Sequence, residues 1–218
     1  NKLAIKGCIV TIDAMGCQRK IAEQIHHQGA DYVLGVKGNQ GKLHQKLIQL
    51  FADADQCNYN AMWYKTHEII DGEHGRIETR RITVLPLMYL PQFKVKWNGL
   101  QSVARINSQR QIGKQIIRES RYYISSLFPD AQKIASAIRQ HWSIENQLHW
   151  SLDISFREDE CRIRKGNAAE NLAIVRHIAL NLLKAEKTAK VGIKIKRSKA
   201  GWDQQYLAKV FSSISRKI

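Results

Sequence analysis

Two carboxylates stand where the chain could do chemistry. Asp13 closes the short apolar run Gly7 to Ile12 (GCIVTI), and open α/β sheets take their ligands at the ends of parallel strands. An aspartate there can equally cap the helix that follows. Glu145 lies in HWSIENQLHW, His141 to Trp150, with His141 and His149 four residues to either side. On a helix all three share one face. A glutamate on a helix is often simply solvated, but one packed among two imidazoles and two indoles is driven toward burial, and a buried carboxylate needs a partner or a metal. A structural metal site made of His141, Glu145 and His149 alone is weak, because such spacing spreads its ligands over more than two turns.

A second group of residues suits phosphate. Lys190, Lys194, Lys196, Arg197 and Lys199 crowd a stretch in which Lys and Arg far outnumber Glu186 and Asp203, and dense positive charge gains counterion-release free energy without reading bases. The bland alternative is a solvated basic run. His74 and Arg76, in a Gly-flanked turn, could touch phosphate, or could be solvated charges at a hairpin tip. One of Asp153, Glu158 and Asp159 could support or replace a metal ligand, but together they read better as an acidic turn pairing with Arg157, Arg162 and Arg164.

The elements that must hold these residues begin with Gly7 to Ile12 and Asp31 to Val36, which have the β-branched, apolar pattern of strands buried on both faces. Between and after them, Ile21, Ala22 and Ile25, then Leu43, Leu47 and Leu50, recur at helical spacing. Strand, helix, strand, helix predicts a parallel α/β sheet. From Trp63 to Ser125 the period shortens: Lys65 to Ile70, Arg76 to Leu85, Leu100 to Asn107 and Arg118 to Ser125 read as strands, separated by Asp71-Gly72, Asn98-Gly99 and the polar Gln109 to Lys114. That predicts an inserted antiparallel block. Asp130 then caps a helix with Ile134, Ala137 and Ile138 on one face, followed by a break at Ser143. Asn167 to Glu170 has the form of a capping box ahead of the apolar stripe Leu172, Val175, Ile178, Ala179, Leu182 and Leu183.

The chain of 218 residues can bury a core. Its net charge of +16 favours a polyanionic partner over a neutral small molecule. No apolar run approaches the roughly 20 residues of a spanning helix, so no membrane partner is expected and the location expected is cytoplasmic, at the nucleoid. The four cysteines have no metal-binding or disulfide spacing. The first residue is Asn1, and the chain reads as cut from something longer.

Seven stretches in order carry a resemblance: TIDAMGCQ (Thr11 to Gln18), YVLGVKGNQ (Tyr32 to Gln40), HGRIETR (His74 to Arg80), YYISSL (Tyr122 to Leu127), RQHWSIENQLHWSLDISFREDECRIR (Arg139 to Arg164), NAAENLAIVRHIALNLLK (Asn167 to Lys184) and KAGWDQQYL (Lys199 to Leu207). Together they resemble the DDE transposases of bacterial insertion sequences, in the group that includes the H-repeat-associated proteins.

The resemblance implies an α/β, ribonuclease-H-like catalytic core, here incomplete with its early strands missing, plus an inserted antiparallel β block and C-terminal helices. It divides the chain into the second half of that sheet (1–60), the β-rich block (61–128), helices carrying the glutamate (129–187) and a basic tail (188–218). Asp13 matches the second aspartate of the family and Glu145 the glutamate, which would hold two Mg²⁺ or Mn²⁺ ions. His141, Asn146 and His149 would support them, and Arg139 would join His74, Arg76 and Lys194, Lys196, Arg197 and Lys199 in binding nucleic acid. Where related transposases carry Tyr, Arg and Lys around the glutamate, this chain has Ile138, His141 and Leu152.

Expected partners are the ends of the mobile element and a target duplex, with a homo-oligomer left open. The first aspartate of the family belongs to an earlier strand that this chain does not contain, so the chain alone is expected neither to cleave nor to join DNA. The alternative is a non-catalytic DNA-binding or regulatory remnant.

Overall fold

The computed structural model describes residues 4–73, 76–113, 115–144 and 148–213. The chain forms two compact units, Asn1–His141 and Trp142–Ile218.

In the first unit, β1 (Ile9–Ile12) and β2 (Asp31–Val36) pair in parallel, Ile9 opposite Asp31 and Ile12 opposite Leu34. Parallel partners need a crossover. Here it is a 3-10 turn, Ala14–Gly16, followed by α1 (Arg19–His27). After β2 comes α2 (Gly41–Gln56), whose Leu43, Leu47, Phe51 and Ala54 face inward at helical spacing. Then β3 (Lys65–Glu73), β4 (Arg76–Pro86), β5 (Ser102–Ile112) and β6 (Gln115–Ser125) run antiparallel to one another.

The antiparallel strands are not a separate layer. β6 pairs with β2, Val33 opposite Ser125 and Val36 opposite Tyr122, so one six-stranded mixed sheet has the order β1-β2-β6-β5-β4-β3. The reason is backbone accounting: the outer edge of β2 carries donors and acceptors that β6 satisfies. Two expectations change. β1 is half-buried rather than buried on both faces, since it lies at the end of the sheet order. The polar Gln109 to Lys114 stretch does separate two strands, but only at its end, because β5 reaches Ile112 and β6 begins at Gln115; solvated strands pair through their backbones and need no apolar pattern.

One sheet face buries Tyr32, Leu34, Val103 and Ile124 against Ala22 and Ile25 of α1 and Leu47 and Phe51 of α2. Arg105 of β5 pins α2 there, donating to Asp55 Oδ2 at 2.6 Å and Oδ1 at 2.8 Å, with its guanidinium 5.0 Å from the Phe51 ring centroid. Gly99 turns the chain beside α1 with φ +73°, and a Cβ there would lie 2.6 Å from His26 Nδ1. Because His26 is exposed and can swing aside, the backbone sets the cost. Gly99→Ala is expected to destabilise the protein by about 1–3 kcal/mol in urea titration; an unchanged midpoint would contradict the left-handed turn.

α3 (Ala131–Ile144) starts as expected, with the Lys133 N–H donating to Asp130 Oδ1 at 2.9 Å. Ile134, Ala137 and Ile138 are buried. It runs through Ser143 without a break.

The second unit contains α4 (Trp150–Phe156), α5 (Ala168–Ala185), α6 (Ile193–Trp202) and α7 (Gln204–Ser212). Leu182, Leu183, Tyr206 and Val210 form its core, with Phe156, Ile193 and Ala200 packed alongside. Four expectations are corrected here. The part of the segment 188–218 that is described, up to Ser213, is not a tail: α6 and α7 bring Ile193, Tyr206 and Val210 into the core. The capping box does not form: Asn167 offers only its backbone carbonyl, which accepts from the Asn171 N–H at 2.9 Å. Val175 and Ile178 are more than half exposed, so only the C-terminal end of the α5 stripe is buried. The acidic turn also pairs otherwise than expected, Arg157 with Glu160 at 2.8 Å and Glu158 with Arg176 at 3.7 Å.

Candidate active site

Asp13 leaves β1 at its C-terminal end, and its side chain is 69% exposed. It does not act as a helix cap. The 3-10 turn after it receives no side-chain bond from Asp13, and α1 begins well beyond it, behind Gln18. Its carboxylate faces α3 instead: Asp13 Oδ1 lies 3.2 Å from His141 Nε2, while Thr11 Oγ1 lies 3.2 Å from His141 Nδ1. An ionised carboxylate can only accept, so Nε2 donates to Asp13. In the neutral ring Nδ1 then accepts the Thr11 hydroxyl proton. One imidazole thus ties two neighbouring residues, Thr11 of β1 and Asp13 just after it, to α3.

The loop carrying Asp13 is held from the neighbouring strand end. Asn39 donates to the Ala14 carbonyl, and Gln40 Nε2 donates to the Cys17 carbonyl at 2.9 Å. Both follow β2, whose parallel pairing with β1 brings the two strand ends side by side. Gly16 lets the turn fold back on Ile12, because a Cβ there would come 2.3 Å from Ile12 Cγ2. Asn39 and Gln40 were missed as anchoring residues; the available signal was a polar Gly-Asn-Gln turn at the C-terminal end of a parallel strand. The Tyr123 phenol, on β6, is pushed up to about 12 by burial, with the charges of Asp13 and Glu119 adding to the rise and Arg121 opposing it. It remains neutral at physiological pH.

Of the expected site residues, Asp13 and His141 meet. Glu145 and Asn146 lie outside the described residues, as does His74, and of Arg76 only the backbone, in β4, is described. His149 is exposed in the second unit. Arg139 Nη1 is 2.6 Å from Asp71 Oδ2. Lys194 and Arg197 are exposed, and the Arg197 guanidinium lies 5.4 Å from the Phe156 ring centroid. Lys199 is partly covered, its ammonium 4.7 Å from the Tyr206 ring centroid.

Lys196 is a correction. It is buried, and its ammonium donates to the carbonyls of Leu183 and Glu186 and lies 3.4 Å from Glu186 Oε2. A lysine saturated inside the unit is not displayed to phosphate, so its charge serves the fold.

Similarity to known proteins defines the class. The chain matches the transposase DDE domain family over residues 1–182 and belongs to it. It is 43% identical, over 97% of its length, to the "H repeat-associated putative transposase YhhI" of Escherichia coli (strain K12) and covers 57% of that protein. The same figures hold for the "Putative protein YbfL" of that strain. The "Putative transposase YncI" of Escherichia coli O157:H7 is 43% identical over 99% of this chain, which covers 55% of it. The chain thus spans a little over half the length of these relatives. No solved structure matches it. No helix among the described residues is long and apolar enough to cross a membrane.

Proposed function

We propose that the chain supplies two catalytic carboxylates, Asp13 and Glu145, of a ribonuclease-H-like DNA transposase that cleaves and rejoins phosphodiesters at the ends of a mobile element with Mg²⁺ or Mn²⁺. The observation that carries this reading is the pair of hydrogen bonds that join His141 to Asp13, through Nε2, and to Thr11, through Nδ1. They fasten to the Asp13 strand a helix residue only four positions before Glu145 in the chain.

The donors suit the ions. Asp13 offers hard carboxylate oxygens at an exposed strand end, as Mg²⁺ prefers. Among the described residues no group of three or more His, Cys, Asp and Glu side chains could hold a metal; in this reading Glu145, outside them, joins Asp13 as a ligand. Two such ions, when bound, activate the attacking oxygen and stabilise the leaving one. His141 keeps the Asp13 carboxylate turned toward α3 through Nε2, and the Thr11 hydroxyl fixes the ring at Nδ1. Exposed Lys194 and Arg197, within a net charge of +16, would take up backbone phosphates of the element end and the target duplex.

The test uses the protein as its gene encodes it and a supercoiled plasmid carrying the element ends. Nicking is expected with Mg²⁺ or Mn²⁺, is expected to stop with a chelator, and is expected to be lost in Glu145→Gln. Nicking that persists in Glu145→Gln, or none with either metal, would sink the reading.

A further inference from the structure

Arg139 and Arg80 converge on one atom. Each places its Nη1 2.6 Å from Asp71 Oδ2. Asp71 of β3 sits opposite Glu78 of β4, and Glu78 and Arg80, two positions apart on one strand, share a face of the sheet. The contacts of Arg139 and His141 place α3 over that same face. Arg80 has a second anchor, since Nη2 lies 2.8 Å from Oε2 of Glu78, which is itself buried. Arg80 therefore keeps its place whether or not Asp71 is engaged. The outer members are open to water: the Asp71 side chain is 35% exposed and that of Arg139 48%.

Burial raises the Asp71 carboxyl, but the hydrogen bond from Arg80 and the charge of Arg139 outweigh it and hold the group below the usual carboxylate range. Asp71 is thus an anion between two guanidinium groups. Yet it is a poor match for both, because the two arginines share a single oxygen. A phosphodiester shares its single charge between two non-bridging oxygens and can give one to each, the geometry guanidinium groups favour. A partly exposed ion pair contributes only about 0–1 kcal/mol, so a better anion can displace it.

We propose that Arg80 and Arg139 form a fork for a DNA backbone phosphate, occupied in the DNA-free protein by Asp71 as an internal stand-in. This rests on the DNA-processing reading above and adds to it a defined phosphate site and a built-in competitor. Arg139 is two residues from His141, about 3 Å along the α3 axis. Arg139 thus shares α3 with the residue that touches Asp13, while Arg80 and Asp71 stand on β4 and β3, at the far end of the sheet order from β1, so the fork takes a backbone phosphate away from the Asp13 strand end.

The test is equilibrium binding of the full chain to a short fluorescein-labelled duplex by anisotropy, without divalent metal so that no cleavage intervenes. Asp71→Asn is expected to tighten binding about threefold to fivefold, the equivalent of the exposed ion pair it removes. Glu68→Gln, an exposed carboxylate on the opposite face of the same strand, removes equal charge and is expected to leave affinity nearly unchanged. Arg139→Gln is expected to weaken binding, reduce the slope of log affinity against log salt by about one, and erase the gain from Asp71→Asn.

Equal effects of Asp71→Asn and Glu68→Gln, or weaker binding by Asp71→Asn with an unchanged melting temperature, would overturn the fork and leave Asp71 a brace for α3. Should Asp71→Asn not fold, the Arg139→Gln slope decides, an unchanged slope overturning the proposal. Wild-type protein that does not bind the duplex at all would remove the DNA reading together with the fork; normal wild-type binding with indifferent variants would remove the fork alone.

Discussion

Asp13→Asn is expected to lower metal-dependent DNA cleavage at least about a hundredfold, equivalent to about 2.7 kcal/mol of transition-state stabilisation, while the melting temperature stays where it was. Asparagine keeps the shape of the side chain and an oxygen that His141 can still reach, but it lacks the charge that holds a divalent ion. The fold should not notice, because the carboxylate is largely exposed and caps no helix. His141→Ala removes the tie without removing a ligand. A smaller loss is expected, about tenfold to a hundredfold, the usual range for a group that orients a metal ligand. Single-turnover cleavage with matched melting curves separates the two. Equal activity of Asp13→Asn and wild type would mean that the strand end serves another purpose.

The largest expected effect on stability lies at Glu186, in the second unit. Its side chain is 2% exposed. Oε1 accepts from the N–H and hydroxyl of Thr188, while Oε2 accepts from the Tyr206 hydroxyl at 2.8 Å and from the Ala189 N–H at 3.3 Å. Lys196 completes the cage. Glu186→Ala strands a buried ammonium and leaves Tyr206 and Thr188 without their acceptor, so about 3–5 kcal/mol of stability is expected to be lost. Burial raises this carboxyl, but the hydrogen bonds from Thr188, Tyr206 and Ala189 win and bring it down to about 2.

A folded pKa below the unfolded value means that the stabilisation is complete above about 4.5 and is lost as pH falls toward about 2. At 1.36 kcal/mol per pH unit that acid limb is worth about 3 kcal/mol. Urea titrations across this window should show the limb in wild type and a flatter one in Glu186→Gln. Coincident limbs would contradict the cage.

What could be read from the sequence was what local pattern controls. The strands ending near Ile12 and Val36, the α2 stripe through Leu43 and Leu47 and the Asp130 cap each depend on a few neighbours in the chain. Asp13 could be singled out because strand ends in parallel sheets are places for ligands, and His141 because its spacing from Glu145 in the sequence is helical. Choices made by distant partners could not be read. Nothing local in Gln115 to Ser125 says that it will pair with β2, and Asp71 looks like half of a turn until Arg139 arrives from α3.

Lys196 is the sharpest case. In a run with Lys194, Arg197 and Lys199 it looks solvated, and only Glu186, brought alongside by packing of α5 on α6, makes its burial tolerable. Val175 and Ile178 failed for the opposite reason, since an apolar stripe states a tendency to bury but not the presence of a surface to bury against.

Asp13 and Glu145 are proposed to serve one cation cluster. A crystal of the protein soaked in Mn²⁺, with data collected at the manganese absorption edge, tests it directly. An anomalous peak within about 2.2 Å of oxygens from both carboxylates is the expected result; the two side chains directed to separate regions with no manganese between them would contradict it.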